Sequence, residues 1–280
     1  MKARFPVEKM ALDGVTEAIS WALGEGWQPG RTDAVPFHAA DPDGFFRSRD
    51  GGRTVATLSV VRASPRLAFV GLYIVDPDYR GKGAGLALWN EVLPRFEGLT
   101  LGLDAVPEQV DTYASDGFEP AHGNARYTTR RLPGPEVSSG VVPASSVPFE
   151  DLVAFDGAHF FGPRPGFLAK WVEGEGREAV VTTEDGRITG FAASRRTSAG
   201  HRIGPVFAAD PEVARALILD LGARARGPVA IDIPLSNRSA VDLLTGLGMS
   251  RSFETTRMYR GRPPGIPLDR VFGITTLELG

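Results

Sequence analysis

Val75-Asp76-Pro77-Asp78-Tyr79-Arg80-Gly81-Lys82-Gly83-Ala84-Gly85-Leu86-Ala87-Leu88-Trp89 joins two runs of opposite character. Before it lies Leu67 to Val75, apolar and rich in residues that favour strands; after it Leu86, Leu88, Trp89, Val92 and Leu93 recur as the apolar side of a helix. Glycines 81, 83 and 85 let the backbone turn so that its N–H groups converge, and the helix N-terminus behind them adds partial positive charge. Such a turn can hold a phosphate or pyrophosphate. It is not a Walker A loop, which needs G-x-x-x-x-G-K-[ST], nor a dinucleotide fingerprint, because residue 86 is Leu where that pattern needs Gly.

Working outward, Leu12, Val15, Ile19 and Leu23 have helical spacing behind Asp13, and the stretch from Gly24 to Gly30 ends that helix. Strands are predicted over 44–48, 54–62 and 67–75, with turns at Asp50-Gly51-Gly52 and Ala63-Ser64-Pro65. After the loop helix come a strand over 99–106 and a helix over 108–115 ending at Asp116-Gly117. This order predicts a mixed α/β fold: an antiparallel meander with a parallel section.

The plan occurs twice. Gly52-Arg53-Thr54-Val55-Ala56 matches Gly186-Arg187-Ile188-Thr189-Gly190, and Val75-Asp76-Pro77-Asp78 matches Ala209-Asp210-Pro211-Glu212, both 134 residues apart. Gly117-Phe118 and Gly248-Met249 follow, 131 apart, each leading to a Thr-rich stretch that ends in Arg. Matches in register over this distance argue for a duplicated unit, with the junction in the Pro-, Gly- and Ser-rich stretch 132–140. We expect domains at 1–134 and 135–280.

Composition narrows the function. The 280 residues, 42% hydrophobic and 23% charged, suit a globular chain that buries a core. Thirty-one basic against 34 acidic residues leave a charge of −3, so no basic field recruits nucleic acid or an anionic membrane. The absence of cysteine removes disulfides, thiolate metal sites and a cysteine nucleophile, and the four dispersed histidines lack metal spacing. No signal peptide or spanning run is legible, so a cytoplasmic protein is expected.

The stretch from Val75 to Gly85 resembles motif A of the GNAT acetyltransferases, V-x-P-x-[YF]-[RQ]-G-x-G-[IAV]-G, at every position. The resemblance implies acetyl-CoA as the acyl donor, contacted by Tyr73, Ile74, Val75, Arg80, Gly81, Lys82, Gly83, Ala84, Gly85 and Leu86. It also implies that the Val75 N–H serves the thioester carbonyl. Tyr113-Ala114-Ser115-Asp116-Gly117-Phe118 resembles the family's Y-x-x-x-G-F segment, whose tyrosine protonates the departing thiolate; a core tyrosine on an amphipathic helix is the plainer alternative. Where the family commonly has Asn, seven residues before that Tyr, this chain has Val106. The second copy keeps an Asn at 237 but has Leu244 at the Tyr position, and Asp210-Pro211-Glu212-Val213 runs into its helix with no glycine loop. The chain therefore resembles tandem GNAT proteins with an intact N-terminal and a degenerate C-terminal domain. Each domain is then expected to be a mixed, mostly antiparallel sheet with a parallel splayed pair and flanking helices. The tail 271–280 reads as a closing strand.

An ammonium group cannot attack, so a proton acceptor is required. The strand 67–75 has no acidic residue, and Asp104 on the neighbouring strand is the candidate; an exposed strand-end carboxylate is its plainer reading. Asp33, Asp41 and Asp43 could instead line an acceptor pocket with Trp21, Trp27 and His38. The cluster Asp156, His159, Phe160, Phe161, Arg164 and Trp171 could close over that pocket. The expected function is an acetyl-CoA-dependent N-acetyltransferase moving acetyl to a primary amine in a ternary complex, because no cysteine can carry the acyl group. The alternative is a non-catalytic acyl-CoA-binding or sensing protein. The acceptor would be a small-molecule or peptide amine, with no nucleic acid, membrane or metal involved, and the chain a monomer or homodimer.

Overall fold

The computed structural model describes residues 4–134 and 140–280; residues 135–139, where the domain junction was expected, lie outside the described residues. The first half runs β1 (Val7–Lys9), α1 (Leu12–Gly24), α2 (Ala34–Ala40), β2 (Phe45–Asp50), β3 (Arg53–Ser64), β4 (Leu67–Val75), α3 (Ala84–Val92), β5 (Thr100–Ala105), α4 (Val110–Ser115) and β6 (Glu119–Thr129). The second repeats the order as β7 (Val141–Pro143), α5 (Phe149–Ala158), α6 (Pro165–Trp171), β8 (Arg177–Glu184), β9 (Arg187–Arg196), β10 (His201–Ala208), α7 (Pro211–Arg224), β11 (Val229–Pro234), α8 (Arg238–Gly246) and β12 (Ser250–Arg260). A short β13 (Val271–Gly273) follows. Helix α2 falls between residues 31 and 43, where no helix or strand is predicted. It forms because Ala34 and Phe37 are buried in a core that Phe167 and Trp171 of α6 share, a partner supplied by the other half.

The sheet order is β1-β2-β3-β4-β5-β12-β6-β11-β10-β9-β8-β7, which reads the same from either end when the halves are interchanged. At its centre the halves trade strands. β12 lies antiparallel against β5 with Arg257 opposite Asp104, and β6 lies antiparallel against β11 with Arg126 opposite Asp232. β6 and β12 also pair with each other. Each half of the chain thus completes the sheet of the other.

Both halves contain a parallel pair that splays. β4 and β5 stay together from Leu67↔Thr100 to Phe69↔Gly102 and then part; β10 and β11 stay together from His201↔Val229 to Ile203↔Ile231. In both, the strand before the splay carries an extra residue against its antiparallel neighbour. Gly71 to Ile74 spans Thr57 to Ser59, and Ile203 to Val206 spans Ala192 to Ser194. The first bulge puts Leu72 at a φ of 45°, which its carbonyl stabilises by accepting from Thr57 Oγ1 at 2.8 Å. The two splays differ in what fills them. Val271 and Gly273 of β13 pair with Phe207 and Val206 of β10, and Ile274 N–H donates to Asp232 O at 2.7 Å, so the second half's gap is occupied by its own chain. The expected closing strand over 271–280 is therefore only three residues long. From Ile274 onward the chain leaves the sheet and crosses toward β4, where the Glu278 carbonyl lies against Gly71.

One apolar cluster straddles the halves, joining Ile19, Phe37, Leu72 and Ile74 to Phe167, Trp171, Phe207 and Leu279. Buried ion pairs do the same. Asp33 sits 2.7 Å from Arg177 and 3.1 Å from Arg195, and takes the Gly30 N–H at 2.7 Å. Burial pushes the Asp33 carboxyl up, but Arg195 and Arg177 outweigh it and hold it below the ordinary value. Removing one member of such a buried pair costs about 3–5 kcal/mol, because the other charge is left uncompensated. Among the described residues, no helix is long and apolar enough to cross a membrane, and no group of three His, Asp or Glu is placed to hold a metal.

Candidate active site

The loop between β4 and α3 is built from its own sequence. Asp76 accepts from the Asp78 N–H at 2.9 Å, turning the chain off the strand into a 3₁₀ turn, Pro77–Tyr79. Gly81 and Gly83 adopt φ of 74° and 85°, and a Cβ on either would meet no neighbour within 4 Å, so the space above them is open. Gly85 serves the opposite purpose: a Cβ there would stand 2.6 Å from Val75 Cγ2 and 2.8 Å from the Tyr73 hydroxyl, so only glycine lets α3 lie this close to β4. The first turn of α3, starting at Ala84 with Leu86 exposed, has no intrahelical acceptor for its N–H groups. The arrangement fits an anionic phosphate group.

Beside the loop is a cleft of about 460 Å³ between the parted strands. Tyr73, Ile74, Val75 and Arg80 line it, as do Asp104, Val106, Gln109 and Tyr113. Asp76 N–H donates to Val55 O at 3.0 Å, which makes Val75 the non-hydrogen-bonded partner of Ala56. By the ladder geometry its own N–H and C=O turn away from β3, toward the side where β5 has parted. Arg80 is turned back from the glycines: its Nε donates to Val75 O at 3.1 Å and its guanidinium pairs with Glu25, which also lines the cleft. Lys82 lies over the Tyr79 ring at 5.4 Å.

Tyr113 packs its ring on Trp89 at 5.6 Å and Phe118 at 6.1 Å while facing the cleft. Burial first, and the nearby Tyr73 second, raise its phenol well above the usual tyrosine value; burial raises Tyr73 to about 12. Both phenols therefore hold their protons.

Asp104 also faces the cleft, but its oxygens are committed. Arg257 holds both of them at 2.8 Å, and Asn124 donates to Oδ1 at 2.7 Å. Both oxygens of Asp104 are thus occupied by Arg257 and Asn124, and the pair fastens β5 to β12. Of the other candidates, Trp27 lines the cleft, whereas Asp33 is paired with the two arginines, Asp41 accepts from the Arg62 N–H, Asp43 pairs with Lys9, and His38 stacks on Phe45. The second-half cluster lies outside the cleft. Arg164 bridges Asp156 and Thr275 Oγ1, and Phe161 stacks on Phe69, so it secures the segment 274–280.

The cleft also contains residues that sequence reading missed. Phe253 and Thr255 arrive on the exchanged β12, Arg126 on β6, and Leu277 and Glu278 from the segment after β13. Gln109 brings a carboxamide three residues from the position where Val106 replaces the family's Asn. Arg126 is tied to Asp232 at 2.7 Å and lies 5.1 Å over the Phe253 ring. No local signal marks the residues on β12, β6 and the tail, because a strand exchange and a crossing tail bring them in.

A doubly splayed mixed sheet, a glycine loop at the first splay and a tyrosine facing it define an acyltransferase of the GNAT type, and the chain belongs to the GNAT family, with two GNAT domains in tandem. The GNAT acetyltransferase family model matches residues 12–115, and a second GNAT acetyltransferase domain model matches 152–273. A holothin acyltransferase from a Pseudoalteromonas species is 32% identical over 267 residues, covering 93% of this chain and 89% of the relative. In fold, the chain is similar to a candidate acetyltransferase of Pyrococcus horikoshii, with a TM-score of 0.84 over 100% of this chain and 97% of that one at 22% identity. It is also similar to a tandem GNAT protein from the clavulanic acid biosynthesis pathway, with a TM-score of 0.64 over 93% and 100% of the two chains at 16% identity. The chain is thus an acyltransferase.

Proposed function

We propose that the chain transfers acetyl from acetyl-CoA to a primary amine by direct attack in a ternary complex, using one donor site in residues 1–134. The observation that carries this is the asymmetry of the two splays. The first is open beside a glycine loop with free space over Gly81 and Gly83. In the second, β13 fills the gap, and Asp210 caps α7 by accepting the Val213 N–H at 2.9 Å, so the helix end already has its partner. Residues 135–280 then act as a degenerate partner domain that walls the acceptor side with Phe253, Thr255 and Leu277.

In this reading the pyrophosphate rests on the amides from Gly81 to Leu86, with Lys82 nearby. The Val75 N–H, turned to the splay, donates to the thioester carbonyl as negative charge grows on its oxygen. Tyr113, held neutral by burial, gives its proton to the departing thiolate. Gln109 takes up the polar contact to the pantetheine arm that Val106 cannot make. Similarity to a holothin acyltransferase supports acyl transfer as the activity, and longer acyl-CoA donors are to be compared with acetyl-CoA. One chain supplies both donor and acceptor walls, so a monomer suffices.

Calorimetry with acetyl-CoA tests the assignment. One site per chain is expected, lost in Gly83→Glu, where a side chain and negative charge enter the space a phosphate needs. Two equivalent sites, or one site unaffected by Gly83→Glu, would overturn it. Binding without acetyl transfer to any member of a broad alkyl- and arylamine panel would favour a non-catalytic acyl-CoA-binding protein.

A further inference from the structure

We propose that Glu278 is the carboxylate that takes the proton from the attacking amine; the assignment rests on the acyl-transfer reading above. The segment that carries it is placed by contacts along its length. Ile274 is pinned to Asp232 O, Thr275 is held by Arg164 at 2.8 Å and by Arg195 at 3.2 Å, and the Leu279 N–H donates to Thr276 Oγ1 at 3.0 Å. Two glycines receive it. A Cβ on Gly204, in the bulge of β10, would collide with the Ile274 carbonyl, and a Cβ on Gly71, at the start of the bulge of β4, would collide with the Glu278 carbonyl. The chain thus passes over one splayed strand and then the other, and Glu278 arrives beside the bulge of β4, on the cleft shared with Tyr113 and Val75.

The carboxylate takes its own backbone N–H and feels the nearby charges of Arg202 and Arg195, but one of its oxygens is left without a hydrogen bond. Glu278 is 4% exposed, it lines the cleft, and its Oε2 is buried without a hydrogen bond. A buried carboxylate oxygen left unpaired is costly, and on a residue that lines the cleft that cost is relieved when an ammonium or amine N–H reaches it. Burial raises Glu278, Arg202 of β10 and Arg195 of β9 pull it down, and Asp33 ahead of α2 pushes it up; the balance lies above the ordinary glutamate value. That moves it toward the range in which a base works near neutral pH. By contrast, Asp104 is gripped on both oxygens by Arg257.

The step balances as follows. The acceptor enters as an ammonium and gives one proton to Glu278, which frees the nitrogen lone pair to attack the thioester carbon. The tetrahedral adduct collapses with cleavage of the C–S bond, and the nitrogen's surplus proton neutralises the thiolate by way of Tyr113 or water. Glu278 then releases its proton to solvent through the cleft. Ammonium and thioester have become amide, thiol and one proton.

The test compares wild type with Glu278→Gln on two acceptors, an alkylamine that is protonated at pH 7 and an arylamine that is already neutral there, with acetyl-CoA affinity measured alongside by calorimetry. Glu278→Gln is expected to lower kcat for the alkylamine by about 10²–10⁴-fold while changing the arylamine rate by less than about tenfold. Wild-type kcat/KM for the alkylamine should level off above the Glu278 ionisation; in the variant it should keep rising about tenfold per pH unit toward the amine's own pKa. Partial rescue of Glu278→Ala by formate is expected, which a purely structural role would not give. Equal loss on both amines with acetyl-CoA affinity intact, or an alkylamine profile unchanged from wild type, would overturn the assignment. A wild type that binds no acetyl-CoA would refute the acyl-transfer reading, and the assignment with it.

Discussion

Replacing Tyr113 by Phe removes one hydroxyl and leaves the ring on its two neighbours, Trp89 at 5.6 Å and Phe118 at 6.1 Å. Because the aromatic packing survives, the change in folding stability should stay within about 1 kcal/mol. The change in rate should be far larger. General-acid help is worth about 10²–10⁴-fold, which corresponds to roughly 2.7–5.5 kcal/mol of transition-state free energy. The gap between these two figures makes the experiment decisive. The assay follows thiol release from acetyl-CoA at saturating amine, with acetyl-CoA affinity measured separately. Tyr73→Phe is the matched control: its hydroxyl faces the Gly85 backbone and its ring lies 5.2 Å from Trp89, so its loss should cost less than about tenfold in kcat. Burial holds the Tyr113 phenol above its ordinary value, so it remains a donor across the working range and should impose no loss of kcat below about pH 10. If Tyr113→Phe retains more than half of the wild-type turnover at unchanged affinity, the residue is core packing and water protonates the thiolate.

Three further outcomes are expected. Tyr73, raised to about 12, and Tyr113, raised further, are neutral in the folded state; their contribution is fully present below the unfolded phenol pKa and is lost as pH rises through the folded values. Thermal stability should therefore fall above about pH 10, and less steeply in the Tyr73→Phe, Tyr113→Phe double variant. The fragment 1–134 leaves β5 and β6 without β12 and β11, so it should show no cooperative melt by circular dichroism, while the whole chain unfolds in one transition; a fragment that melts cooperatively and binds acetyl-CoA would contradict the exchanged topology. Gly204→Ala pushes on the Ile274 carbonyl and should cost about 1–3 kcal/mol by overpacking, read as a lowered Tm together with reduced acetyl transfer, because the displaced segment carries Leu277 and Glu278 into the cleft.

Local sequence determined the glycine-loop side of the cleft. The run from Val75 to Trp89 specifies strand, turn and helix within fifteen residues, through Asp76 capping the turn, glycines at positive φ and a glycine at the helix–strand contact, so motif and geometry coincide. The duplication was legible too, because equivalent elements carry similar turns and similar alternation of apolar residues. The reverse holds for the opposite wall of the cleft. Helix α2 forms only because α6 of the other half covers it, and both oxygens of Asp104 are occupied because β12 brings Arg257 beside it. Glu278 stands 207 residues after Gly71 in the chain and rests on it in space. A strand that can pair with its own half or with its copy carries nearly the same local pattern in both cases, since side-chain alternation specifies a buried face and not a particular neighbour. Which neighbour it takes depends on long-range complementarity, here the cross-half Arg–Asp pairs and the shared apolar cluster, and tertiary structure alone decides that.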